Sequence, residues 1–344
     1  MKAALFHKES GDLIISNKNI PNLSDKDVLV KVHYCSFCGH DLAVIQGMLK
    51  RGVGSEVILG HELSGIVDSV GSQVSTCSPG DRVVSLLTNS CGICDRCLND
   101  QSHRCRVGEG IGHTCDGGFA EYVVVSENSV FKIHDDLTLK DACMLVCPIG
   151  VIEEAFSRYK GQFNTAVVSG ATGGLGIHGI QKASSLFDRV IALTTDASAD
   201  KFLSQNGATD VVVYDASDTF KFKEIIMALT EDEGVDLFID PVGSGLFNES
   251  VACVSQYGCL MLLGDIQGIP LDIHLGDMLF KDLEIICSTG SNRESVKLAE
   301  RMILNGDMKP IIFDVVALEN ILDVCIKMQE SSVIGRILID MTLG

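Results

Sequence analysis

The sequence predicts an α/β protein in two parts: a mostly-β region and a doubly wound parallel sheet. Three observations carry this. Up to about residue 150, short runs of alternating apolar and polar residues are separated by turn residues. Beyond it, buried apolar runs alternate with helical stretches at regular spacing, the pattern of a parallel sheet covered by helices. The 344 residues also exceed a single domain of about 100–200.

In the first part, Val28 to Tyr34 alternates with the period of a half-buried strand, and Ile66 to Val70 does the same. Gly71 and Pro79-Gly80-Asp81 supply turns, and Ala120 to Val125 is a further apolar strand. In the second part, Thr165 to Ser169 leads into a glycine-rich turn and a helix over Gly174 to Phe187. Next come the strand Arg189 to Leu193, a helix around Ala199 to Asn206 and the strand Val211 to Tyr214. A helix near Phe220 to Thr230, the strand Val235 to Asp240, a helix around Phe247 to Ser255 and the strand Cys259 to Leu263 follow. The last fifty residues read as mixed: a helix near Ser295 to Asn305, a strand near Phe313 to Val316 and a closing strand Arg336 to Ile339. No internal repeat or low-complexity stretch interrupts them.

Composition narrows the function classes. Hydrophobic residues make up 46% and charged residues 21%, an ordinary globular balance. No apolar run reaches the roughly 18 residues of a membrane-spanning helix, and the N-terminus meets charge too early for a signal peptide. A cytoplasmic protein is expected. With 27 basic and 46 acidic side chains the formal charge is −19, which repels phosphate backbones, so nucleic acid is not an expected partner, and without an apolar span neither is a membrane. Fourteen cysteines in a reducing compartment point to metal rather than to disulfides.

Cys91, Cys94, Cys97 and Cys105 follow C-x2-C-x2-C-x7-C. Four thiolates satisfy the closed tetrahedral site of a structural zinc, with an iron–sulfur cluster as the alternative. Cys38, His61 with Glu62, and Cys147 are scattered, and taken singly each is ambiguous. A lone buried cysteine is usually a small core residue, whereas two cysteines and one histidine also form a known catalytic zinc set.

Gly170-Ala171-Thr172-Gly173-Gly174-Leu175-Gly176 follows an apolar strand and opens a helix. Glycines there permit a tight turn and close backbone approach, and the helix N-terminus attracts a pyrophosphate. The residue that reads the adenosine ribose is expected at the end of the next strand, where Thr194, Thr195 and Asp196 stand. Thr194 and Thr195 offer uncharged hydroxyls and Lys201 a cation on the following helix, which favours NADP(H) over NAD(H). Asp196 is the candidate NAD(H) reader.

Cys38-Gly39-His40-Asp41, Gly60-His61-Glu62-Leu63-Ser64-Gly65, Gly80-Asp81-Arg82-Val83 and the four-cysteine loop resemble the zinc-containing medium-chain alcohol dehydrogenases in order and spacing. The glycine-rich turn follows where that family places it, and some members share Ala171 at the first glycine position. The resemblance implies a GroES-like catalytic domain over 1–150 and 291–344 and a Rossmann nucleotide domain over 151–290. It implies a catalytic zinc on Cys38, His61 and Cys147, with Glu62 able to approach the metal and Asp41 holding a ligand. With the closed site this makes two zinc ions per chain. Such enzymes pass a hydride between an alcohol or carbonyl substrate and a nicotinamide, and they are usually dimers or tetramers. One departure stands out: the family usually has Ser or Thr where His40 stands, and its hydroxyl relays the substrate proton. An imidazole can carry that proton, or His40 is a bulky pocket residue.

Gly170 to Gln181 with Ile239-Asp240-Pro241-Val242-Gly243 also looks like the quinone and enoyl-thioester reductases of the same superfamily, acryloyl-CoA reductases among them. Those use NADPH, mostly without catalytic zinc. A non-catalytic protein binding nucleotide and zinc is the third reading, disfavoured because both ligand sets are complete.

Overall fold

The computed structural model describes residues 1–215, 222–265, 267–330 and 333–343. The chain forms two compact units: Met1–Gly150 with Gly290–Ser331 and Arg336–Gly344, and Val151–Thr289 with Ser332–Gly335. The return of the chain to the second unit at Ser332–Gly335 has no counterpart in the sequence reading. It is fixed there by Gly335 N–H, which donates to the Thr172 carbonyl at 2.8 Å.

The first unit is built on a seven-stranded sheet whose longest strand, Asp27–Phe37, pairs antiparallel with Glu62–Val70, Tyr122–Ser126 and Arg336–Asp340. Alternation in Val28 to Tyr34 marks this strand correctly, and it runs three residues further, into Cys35, Ser36 and Phe37. The N-terminal strands Lys2–His7 and Asp12–Asn17 and the helix Ile321–Gln329 were not anticipated. A core of Val84, Leu86, Met144, Leu145, Ile149, Val296 and Leu338 lies under the sheet.

The second unit holds six parallel strands in the spatial order Asp210–Val213, Arg189–Thr194, Thr165–Val168, Val235–Asp240, Val254–Leu262, Glu284–Cys287. The chain therefore winds outward from Thr165–Val168 in one direction, then restarts beside it and winds the other way. Such a reversal opens a crevice at the carboxyl ends of the two central strands, where ligands bind. Buried Val167, Ile191, Leu193, Phe238 and Leu260 hold the sheet to its helices.

Three expected helices need adjustment, and the one expected over Gly174 to Phe187 ends at Ser184. The one expected over Phe247 to Ser255 ends at Cys253, because Val254 already pairs with Val235 and Ser255 belongs to the strand Val254–Leu262. The one expected near Phe220 to Thr230 is observed as Lys223–Leu229, and Phe220 lies outside the described residues. No helix among the described residues is long and apolar enough to cross a membrane.

Candidate functional site

All fourteen cysteines are free thiols. Four of them lie on a lobe made of the short helical turns Asp95–Leu98 and Ser102–Arg104 and the two-stranded ribbon Thr88–Asn89 with Glu109–Gly110. Their sulfurs stand 3.5 Å apart for Cys94–Cys97 and Cys91–Cys105, 3.9 Å for Cys94–Cys105 and 4.0 Å for Cys91–Cys97. Zinc bound to four thiolates at about 2.3 Å sets tetrahedral sulfur–sulfur edges of about 3.8 Å. The donor set fits that ion. Backbone N–H groups of Arg106 and Cys97 draw the Cys94 thiol down to about 6, and those of Ile93 and Cys94 lower Cys91. Burial pushes Cys97 up to about 12.

The scattered residues also converge. Cys38 ends the strand Asp27–Phe37 and opens the helix Gly39–Ile45, while Glu62 begins the neighbouring strand opposite Ser36. Gly60, at φ +91°, makes the turn that delivers His61, and a Cβ there would lie 2.7 Å from the Cys35 sulfur. Cys147 sits in a wide helical turn, Leu145–Ile149, that contains Pro148. Proline supplies no N–H to an ordinary helical ladder, which favours such a widened turn. One ligand atom from each of Cys38, His61, Glu62 and Cys147 lies within 4.8 Å of all the others, and all four residues are buried.

Asp41 braces this group from behind. Its Oδ2 accepts the Cys38 N–H at 2.9 Å, and its Oδ1 accepts the Gly60 N–H at 3.2 Å and faces His61 Nδ1 at 3.5 Å. That directs Nδ1 to the carboxylate and leaves Nε2 for a ligand, the usual way a carboxylate orients a metal-binding histidine. Despite burial, Asp41 and Cys38 raise the His61 imidazole well above its ordinary value, as expected of a pocket built around positive charge.

Arg336 was missed by the sequence reading. It is 4% exposed, donates from Nε and Nη2 to the two Glu62 oxygens at 3.0 Å each, and places Nη2 3.3 Å from Cys38 Sγ. Burial opposes the Glu62 carboxylate, yet Arg336 outweighs it and holds the carboxyl at about 2. Glu62 therefore stands beside the cluster as Arg336's partner. The hydrogen bond between Cys38 and Cys147 leads the effects that bring the Cys38 thiol to about 6, with Arg336 adding to it against burial; Cys147 rises correspondingly. The only sequence signal was an arginine opening the apolar run 337–339, 274 positions from its partner.

His40 lies beside His61, with ring centroids 5.1 Å apart in an edge-on arrangement. Its Nε2 is 3.1 Å from His113 Nδ1, and His113 Nε2 is 2.9 Å from the Arg51 carbonyl. Burial and the neighbouring His61 push His40 down to about 4. His113 was not singled out in the sequence, because nothing local links it to residue 40.

In the second unit, Gly170, Ala171, Thr172 and Gly173 turn from the strand Thr165–Val168 into the helix Gly174–Ser184, which carries Leu175 and Gly176. A Cβ on Gly176 would lie 2.1 Å from the Gly170 carbonyl, so only glycine lets the helix start this close to the turn. Gly173, exposed at the N-cap, supplies no side-chain hydrogen bond to the helix. The first helical N–H groups thus keep the character of an anion site, and a pyrophosphate fits them.

The strand tip differs from expectation at one residue. Thr194 is 2% exposed, and its hydroxyl oxygen accepts the Asp196 N–H at 3.0 Å, because it is the last residue of the buried strand Arg189–Thr194. Its oxygen is thus engaged by the turn that follows the strand. Thr195 and Lys201 are exposed. Asp196 Oδ1 accepts the Ser198 N–H at 2.8 Å and its hydroxyl at 2.6 Å.

Two thiols, an imidazole and an adjacent carboxylate come together in the first unit, and a nucleotide-type turn opens a helix in the second. The chain belongs to the zinc-containing medium-chain dehydrogenase/reductase family, and it is an NAD(P)-dependent oxidoreductase of the alcohol dehydrogenase type. Residues 24–135 match the alcohol dehydrogenase GroES-like domain and residues 174–305 the zinc-binding dehydrogenase domain. The chain is 29% identical to the acryloyl-coenzyme A reductase of Sulfurisphaera tokodaii over 93% of each chain. It is 28% identical to an alcohol dehydrogenase of Geobacillus stearothermophilus over 98% of this chain and 99% of that one. Among solved structures it resembles a protein of Sinorhizobium meliloti 1021 described as a zinc-binding dehydrogenase and bound to NADP, with a TM-score of 0.82, 26% identity and 98% of each chain covered.

Proposed function

We propose that this enzyme passes a hydride between an alcohol or carbonyl substrate and NADP(H), with a catalytic zinc held by Cys38, His61 and Cys147. The convergence of those three donors, with Asp41 behind His61, carries the reading. Three protein donors leave the vacancy that a catalytic zinc needs, and the four-cysteine lobe holds a second, closed ion. Bound there, zinc supplies Lewis acidity, lowering the pKa of a bound alcohol or polarising a carbonyl. Arg336 neutralises Glu62, so the two thiolates are left to balance a divalent ion. His40 takes the substrate proton in oxidation and returns it in reduction. The turn from Gly170 to Gly176 receives the pyrophosphate.

Exposed Thr195 and Lys201 support NADP(H) as the cofactor. Lys201→Ala is expected to weaken NADP(H) binding while leaving NAD(H) unchanged, read by fluorescence titration of both reduced forms. A tenfold or greater preference of the unmodified enzyme for NAD(H) in kcat/KM would make Asp196 the ribose reader instead.

A second reading, reduction of an enoyl thioester, is favoured by the resemblance to acryloyl-coenzyme A reductase. Turnover with NADPH against a panel of aldehydes, ketones and enoyl thioesters separates the two. Carbonyl reduction supports the first, and reduction of thioesters alone supports the second. A homodimer or homotetramer is also proposed, supported by exposed Leu275, Leu279 and Phe280, which precede the edge strand Glu284–Cys287. Light scattering of the purified protein reads it directly.

A further inference from the structure

We infer that His113 is a positioning residue for His40, fixing which ring nitrogen of His40 carries the proton. This rests on His40 being the proton-bearing group of the proposed reaction.

The argument is one of donors and acceptors. A backbone carbonyl only accepts, so the 2.9 Å contact between His113 Nε2 and the Arg51 oxygen requires a proton on Nε2. In its neutral form His113 has one ring proton, and its Nδ1 is then an acceptor. The 3.1 Å contact from His113 Nδ1 to His40 Nε2 can form only if His40 Nε2 donates. His40 is thereby held with Nε2 protonated and with Nδ1 as a lone-pair acceptor. A histidine with no such partner would distribute its proton between both nitrogens and rotate about its side chain.

The backbone supports this direction. His113 N–H donates to the Gly110 carbonyl at 3.1 Å, and its own carbonyl accepts the Gly54 N–H at 3.0 Å. The loop carrying His113 is thus tied to the turn carrying Arg51. Gly52, at φ +80°, bends that turn and stands beside the His113 ring, where even a Cβ would be 3.7 Å from Nε2. Both partners of the His113 ring are therefore set by the fold, and the ring of His40 is held edge-on to His113 at 5.0 Å between centroids.

The test uses zinc-loaded, 15N-labelled enzyme at about pH 8, above the ordinary imidazole range. Long-range 1H–15N correlation of the histidine rings is expected to show His40 protonated on Nε2 alone. In His113→Phe the His40 signals should move toward a mixture of tautomers. The kcat should fall about tenfold with the nucleotide KM and zinc content unchanged, the size of one lost positioning contact. His113→Asn, whose amide oxygen stands where Nδ1 did, should restore most of the kcat. An Nδ1-protonated His40 in the unmodified enzyme, or an Asn variant as slow as the Phe variant, would overturn the inference. Unchanged kcat in His40→Phe would instead strike the proposed role of His40, while the ring correlation would still decide the His113 bond.

Discussion

Replacing Arg336 with Met is expected to destabilise the catalytic unit by about 3–5 kcal/mol, the cost of leaving a buried carboxylate without its partner. Glu62 is fully buried, and both its oxygens depend on this guanidinium. The second variant, Arg336→Met with Glu62→Gln, removes the charge along with its partner and should recover most of that loss. Denaturant unfolding midpoints of the single and double variants read this coupling. If the single variant were as stable as the unmodified protein, the pair would be structurally idle.

Cys105→Ser is expected to have the other large effect, in a different place. The lobe from Cys91 to Cys105 has no core of its own. No residue of its two helical turns is buried, and Ile93 and Leu98 are 76% and 71% exposed. A segment with so little apolar burial cannot offset its ordering entropy, so a metal has to hold it. Structural zinc contributes about 10–16 kcal/mol of apparent binding energy in small peptides, which makes the lobe's order conditional on the ion. Zinc should fall from two to one per chain, and limited proteolysis should cut between Cys91 and Cys105 while the sheet beneath stays intact. Two zinc ions and no new cleavage in the variant would show that the four sulfurs do not form a metal site.

Local signals in the sequence reached far into this molecule. Five of the six parallel strands were legible as short apolar runs between helical stretches, with Val235–Asp240 bounded correctly at both ends, while the edge strand Glu284–Cys287 was not read. The four-cysteine lobe was legible because its donors lie within fifteen residues. The second ligand set became readable only through the motifs around Cys38 and His61, since Cys147 lies far along the chain from both. Arg336 and His113 were illegible for the same reason, as each acts through a partner brought close by the fold alone. The burial of Thr194 was illegible because a strand end and an exposed tip look alike in sequence.

The most direct test of the account is zinc content and turnover measured together on His61→Ala. If Cys38, His61 and Cys147 hold the ion that drives the reaction, the variant should retain about one zinc per chain, in the four-cysteine lobe. It should still bind NADPH and lose at least about 10²-fold in kcat, the scale of removing the group that stabilises the reacting oxygen. A variant that keeps its turnover after losing that zinc would contradict the account and leave a metal-independent reductase in its place.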